Sequence, residues 1–255
     1  MSFEACAALV ERADPERFRA AMAAPLPARR ILFPLYAFNV EVARAPWVTE
    51  EPMIAEMRLQ WWRDALEEIA AQGNVRRHDV VDALADVLDP PGAAALDRLV
   101  AARRWDIYKD PFEDPAHFDD YINATSGALM WTAARLLGEA EESVVAPFGY
   151  AVGVANFFRA IPQLEGQGRK PLVDGTTQAV RDLADAAHGR LQQTCAGRRD
   201  VSTAAGAALI AGYLARPVLK KAIKDSTVVG RGTLDIPPLA QSLRLAHVSL
   251  RGWWV

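Results

Sequence analysis

The chain has 255 residues, 51% of them apolar, and a formal net charge of −3 from 29 basic and 32 acidic side chains. That length suits one large domain with a sizeable core, and the interspersed charges lack the clustered Lys and Arg of a nucleic-acid surface, so no nucleic-acid partner is expected. Two cysteines, Cys6 and Cys195, are too few for a disulfide framework and sit in no metal-type cluster, which reads as cytoplasmic thiols.

The N-terminal "MSFEACAALVERADPERF" has acids early and no apolar run of signal type. Asp14-Pro15-Glu16 marks a helix start, with an acceptor at the cap, Pro in the first turn and an acid near the positive end. "LPARRILFPLYAFNVEVARA" continues as helix, with Pro34 early enough to be tolerated or to kink it. Thr49-Glu50-Glu51-Pro52 opens the next helix. In it Ile54, Met57, Trp61, Ala65 and Ile69 recur at steps of three or four and predict the buried stripe, with Trp62 lining a groove or half exposed and Gly73 ending the helix.

A helix is expected near His78 to Leu88, then a break at Pro90-Pro91-Gly92 and another helix over Ala93 to Tyr108. Asp114-Pro115 opens a long helix to about Leu137. Ser143 caps one that Pro162 stops after Ile161, and "PQLEGQGRKPLVDG" reads as loop, its Gly168-Arg169-Lys170 as a solvated basic turn. Thr177 to Cys195 and Ser202 to about Asp225 read as helices, the second kinked at Pro217. Pro237-Pro238 precedes a last helix to about Leu250.

No run alternates with period two, and no repeat or low-complexity linker appears. The pattern predicts an all-α chain, a single multi-helix bundle over 1–255. No stretch offers about 20 uninterrupted apolar residues. The longest weakly polar one, "VSTAAGAALIAGYLARPVL", is Ala- and Gly-rich and reads as a core helix. The four histidines are scattered and read as surface or cap residues. "SLRGWWV" at the end reads as docked on the bundle, or as an aromatic anchor for a membrane interface or a partner groove.

Three stretches carry a resemblance. "LYAFNVEVARAPW" (35–47), "YINATSGALM" (121–130) and "GVANFFRAIPQLEGQGRKPLV" (153–173) are similar, in order and spacing, to the first aspartate-rich helix, the Tyr-x-x-x-Ala-Gly-x-x-Gly helix and the second aspartate-rich helix of the squalene/phytoene synthase family. The resemblance implies an isoprenoid-synthase-type bundle with a central cavity. In the family's reaction, prenyl diphosphates join head to head after magnesium ions, held by carboxylates on two facing helices, neutralise the departing diphosphate.

Here the aspartate positions read Ala43, Arg44 and Trp47 on one side and Ala160 and Leu164 on the other, and Val40 stands for an arginine. No metal, no cofactor and no catalytic residue is therefore implied. Glu41 lies two residues before Ala43 and points about 160° away around the helix. The acids of "EDPAHFDDY" read as a solvated first turn. Tyr36, Tyr121, Asn156, Arg159 and Arg169 remain as candidate ligand-binding residues of a relic pocket. For Asn156 and Arg159 two readings stand, a patch for an anionic head group and a buried hydrogen-bonded pair.

"AFNVEVA", "MRLQWWRDALEEI" and "FFRAIP" resemble the family's degenerate branch, whose members act in respiratory complex I assembly. The function so implied is a non-catalytic factor in assembly of a membrane respiratory complex, cytoplasmic or peripheral on the inner membrane. The alternatives are a prenyl transferase using displaced carboxylates, and an isoprenoid or lipid carrier.

Overall fold

The computed structural model describes residues 2–255. Its helices are α1 (Ser2–Ala13), α2 (Pro15–Ala23), α3 (Leu26–Arg44), α4 (Pro52–Ala70), α5 (Asp79–Ala85), α6 (Pro90–Ala102), α7 (Pro115–Ile122), α8 (Ala128–Leu137), α9 (Glu142–Gly166), α10 (Thr177–Ala196), α11 (Thr203–Leu209), α12 (Ala215–Lys224), α13 (Thr227–Gly230) and α14 (Pro238–Arg251). Among the described residues there is no strand, only an isolated bridge between Ala140 and Val201. The helices share one contiguous apolar core.

The starts follow local chemistry. Asp14 accepts from the Arg17 N–H at 3.0 Å and Asp114 from the His117 N–H at 2.8 Å, satisfying donors the helix leaves free. Pro90-Pro91-Gly92 is not a break. Asp89 caps that end by accepting from the Gly92 N–H at 2.9 Å, and Pro in a first turn lacks only an N–H that would be unpaired there. Ser143 caps nothing, because α9 already begins at Glu142.

Three helices depart from expectation. In α4 the buried residues are Ala55, Leu59, Trp62, Ala65, Leu66 and Ile69. Trp62 is thus in the core and Trp61 is partly exposed, while Ile54 and Met57 are 46% and 66% exposed. The helix start is apolar on two sides, and the stripe at 55, 59, 62, 66 and 69 is the one that packs. Helix α9 runs through Pro162 to Gly166, held by burial of Ile161 and Leu164 on either side of the proline. It is the described helix long and apolar enough to cross a membrane, but it lies mostly buried inside the bundle. The 202–225 segment breaks at a 3-10 turn, Ile210–Gly212, and not at Pro217, which sits harmlessly in the first turn of α12.

Helices α7 and α8 form one rod, interrupted by a π turn over Asn123–Gly127. Such turns insert one extra residue and concentrate at functional sites. Next to it α9 presents Gly149 and Gly153. A Cβ on Gly149 would lie 2.9 Å from the Gly127 Cα, and one on Gly153 would lie 2.7 Å from Ile122 and Ser126 side-chain atoms. Gly149 lets the two rods touch backbone to backbone, and Gly153 leaves room for the Ile122 and Ser126 side chains.

Of the histidines, His78 caps α5, accepting from the Val80 N–H at 3.2 Å. His188 is instead buried, with its Nε2 unpartnered. Trp253 is also buried, edge-on to Phe148 with ring centres 5.2 Å apart, so the chain end docks on the bundle.

Candidate functional site

Helices α3 and α9 both line one cavity of about 720 Å³. From α3 come Asn39, Val40, Ala43, Arg44 and Trp47 of the following turn, and from α9 come Gly153, Asn156, Phe157, Arg159, Ala160 and Gln163. Steps of three and four put each set on one helix face. The start of α2, the π turn and the segment around Gly212 close the remaining sides.

Tyr121, Asn156 and Arg159 of the sequence-derived candidates line this cavity. Tyr36 lies buried just behind the wall, its ring covered by the Arg17 guanidinium at 5.7 Å. Burial pushes its phenol well above the ordinary value, against the pull of Arg17. Arg169 is not on the wall and is no solvated turn. It is buried, donates to the carbonyls of Tyr108, at 2.8 Å, and Asp106, and stacks 4.6 Å over the Trp47 ring. Its work is to tie the 166–173 segment to the wall. Leu164 is buried outside the cavity wall, where Gln163 stands instead.

Two cavity arginines escaped the sequence reading. Arg17 pairs with Asp14 at 2.6 Å. Arg103 donates to Asp106 at 3.0 Å and to the Tyr121 hydroxyl at 2.7 Å, and that hydroxyl donates to Asp106 at 2.9 Å. Burial works against the Arg103 cation, but Tyr121 and Asp106 more than offset it and hold its pKa above the ordinary value. The Tyr121 phenol is raised too, chiefly by burial. Nothing in their spacing sets these arginines apart from the other basic residues, because their role depends on which helices meet.

Every arginine on the wall has a carboxylate. Arg17 has Asp14, Arg103 has Asp106, Arg44 has Glu41 at 3.4 Å, and Arg159 has Glu16 at 2.7 Å and Asp235 at 3.7 Å. Magnesium needs several free oxygen ligands in octahedral array. Ala43 and Ala160 supply none, Arg44 adds a like charge, and the wall's acids already face arginines. Among the described residues no group of three or more His, Cys, Asp or Glu is arranged for a metal. The donor set does not fit a magnesium clamp.

Helix bundle, paired α3 and α9 walls and central cavity together define an isoprenoid-synthase-type fold. A dehydrosqualene synthase solved in complex with ligand superposes with a TM-score of 0.78 over 98% of this chain and 95% of its own, at 16% sequence identity. The squalene/phytoene synthase family model matches residues 10–173, and the chain belongs to that family. It is similar to a homolog of NADH dehydrogenase (ubiquinone) complex I, assembly factor 6, from Drosophila melanogaster, with 28% identity over 177 residues, 66% of this chain and 53% of the fly protein. The Homo sapiens assembly factor 6 is 23% identical over 180 residues, 65% of this chain and 50% of its own. The chain spans about half the length of these curated relatives.

Proposed function

We propose that this protein is a non-catalytic member of its family that assists assembly of a membrane respiratory complex of the NADH dehydrogenase type, working at the cytoplasmic surface of the inner membrane. The carrying observation is the cavity wall, where apolar or cationic residues stand at the positions that the family resemblance gives to magnesium-binding aspartates. Without a carboxylate clamp the charge on a departing diphosphate has no magnesium counter-ion, and ionisation loses its main source of transition-state stabilisation. The relatives named as complex I assembly factors support the assembly role.

The test has two arms. Purified protein incubated with farnesyl or geranylgeranyl diphosphate and magnesium releases no diphosphate and forms no coupled product; turnover would instead establish a prenyl transferase with displaced carboxylates. Deleting the gene lowers the amount of assembled NADH dehydrogenase on native gels, and the intact gene restores it. Unchanged assembly in the deletion strain overturns the proposal.

The cavity itself supports a second reading, an isoprenoid or lipid carrier. Its volume suits an amphiphile, and its lining mixes polar residues such as Arg103 and Asn156 with apolar ones such as Val40, Ile122 and Phe157. A prenyl phosphate analogue that binds without magnesium, and is released by Arg103→Gln, supports the carrier.

A further inference from the structure

Helix α14 is apolar on two opposite sides. On the inner side Val248 is buried, Gln241 accepts from Arg19 at 2.7 Å, and Arg244 donates to the Tyr213 carbonyl at 3.3 Å. Gly252, at φ +110°, then turns the chain so that Trp253 lies on Gly206 and Phe148. Positive φ of this kind suits glycine. The helix is therefore fixed in orientation, and its outer face is a consequence of the fold.

On that outer face Leu239, Leu243, Ala246 and Leu250 recur at steps of four, three and four, which aligns them in a single stripe. The three leucines are 72%, 64% and 84% exposed. Scattered exposed leucines need no explanation, but an aligned stripe on an anchored helix does. The charge is also one-sided. From Ile236 to Val255 there is no Asp or Glu, while His247 and Arg251 are present besides the inward-turned Arg244. His247 and Arg251 are exposed and fall along one edge of the stripe.

We propose that the outer face of α14 docks the protein on a bilayer surface containing anionic lipid. The leucine stripe enters the boundary between headgroups and acyl chains, and Arg251 faces the lipid phosphates. A second copy of the chain suits this face less well. A fourteen-residue helix is about 21 Å long, and one aliphatic stripe of that length falls far short of the roughly 800 Å² per partner of a stable protein interface. The inference rests on the peripheral placement proposed above and names the surface responsible for it.

Flotation with vesicles tests it. The parent protein co-floats with vesicles of phosphatidylcholine mixed with phosphatidylglycerol, and much less with phosphatidylcholine alone or at high salt. Leu243→Gln with Leu250→Gln leaves the charge and the melting temperature unchanged and weakens binding to mixed vesicles by roughly tenfold or more. Arg251→Gln narrows the difference between the two lipid compositions. Should the double variant fail to fold, Leu239→Gln reads the same face. Absence of parent binding to mixed vesicles, or equal binding by the leucine variant, overturns the proposal. So does light scattering that shows a parent dimer split by the leucine variant, which assigns the face to a second copy. Vesicle binding with undisturbed complex assembly would sink the assembly role and keep this surface; the reverse result would do the opposite.

Discussion

Arg159 of α9 and Glu16 of α2 meet in a two-pronged ion pair, with both carboxylate oxygens 2.7 Å from guanidinium nitrogens. Each side chain is about three-quarters buried, with 24% and 25% exposed. A pair of this geometry locks two walls of the cavity together and uses up the charge that a ligand would otherwise meet.

The first prediction follows from that pair. Arg159→Ala leaves Glu16 without its main partner and lowers stability by about 1–3 kcal/mol. For a chain of this size that is a fall of about 2–4 °C in Tm per kcal/mol. Glu16→Ala costs a similar amount, and the double variant costs less than the sum of the two. Thermal denaturation of the four proteins measures this. Additive losses would show that the pair carries no coupling.

Gly149→Ala is expected to destabilise more than its size suggests. Its Cβ would press on the Gly127 Cα and the Met130 Cβ, both at 2.9 Å, and on the Ser126 carbonyl oxygen at 3.1 Å. Two of these are backbone atoms that cannot swing aside. Overpacking of this kind costs about 1–3 kcal/mol. A helix-propensity gain of about 1 kcal/mol for replacing Gly works in the opposite direction. The expected net effect is a lower urea midpoint; a raised one would mean that the rods part freely.

Acid should weaken the fold through His188. Its pKa is held below the ordinary 6.5 by burial first and by Lys220 and Arg216 next, with Asp185 opposing. The unfolded chain therefore binds this proton more readily than the folded one. The contribution is fully present above about 6.5 and is lost as pH falls through that value towards the folded pKa. Replacing the group, as His188→Gln, flattens the Tm profile in that window, and an unchanged profile would place the acid sensitivity elsewhere.

Trp253→Ala should free the C-terminal helix. The indole is 5% exposed and its loss opens a void beside Phe148 and Gly206. A buried Trp replaced by Ala costs about 3–5 kcal/mol. Limited proteolysis should cut first within 236–252, well before the bundle itself. Cleavage spread evenly over the chain would show that α14 unfolds only with the whole.

The element types were legible because periodicity and capping residues are local. Asp14, Asp114 and the prolines behind them announced helices that the fold contains. The cavity walls were legible only through the family resemblance, since Ala43 and Ala160 carry no chemistry of their own. What stayed hidden depends on contacts between distant segments. Arg169 reads as a loop cation until the Tyr108 and Asp106 carbonyls are placed beside it. Arg17 and Arg103 likewise become wall residues only once α2, the 103–106 turn and α9 meet. In α4 two apolar stripes competed, and only the packing partner decides between Met57 and Leu59.

The π turn at Asn123–Gly127 sets a constraint on chain length. Removing one residue there would close the turn into ordinary α geometry and rotate all of α8 by about 100°. Leu129, Met130, Ala133 and Ala134, now buried, would leave the core together, and the backbone contact with Gly149 would be lost. A point substitution in this rod disturbs one site, whereas a single-codon deletion would misalign an entire helix. This stretch should therefore accept changes of residue far more readily than changes of residue count.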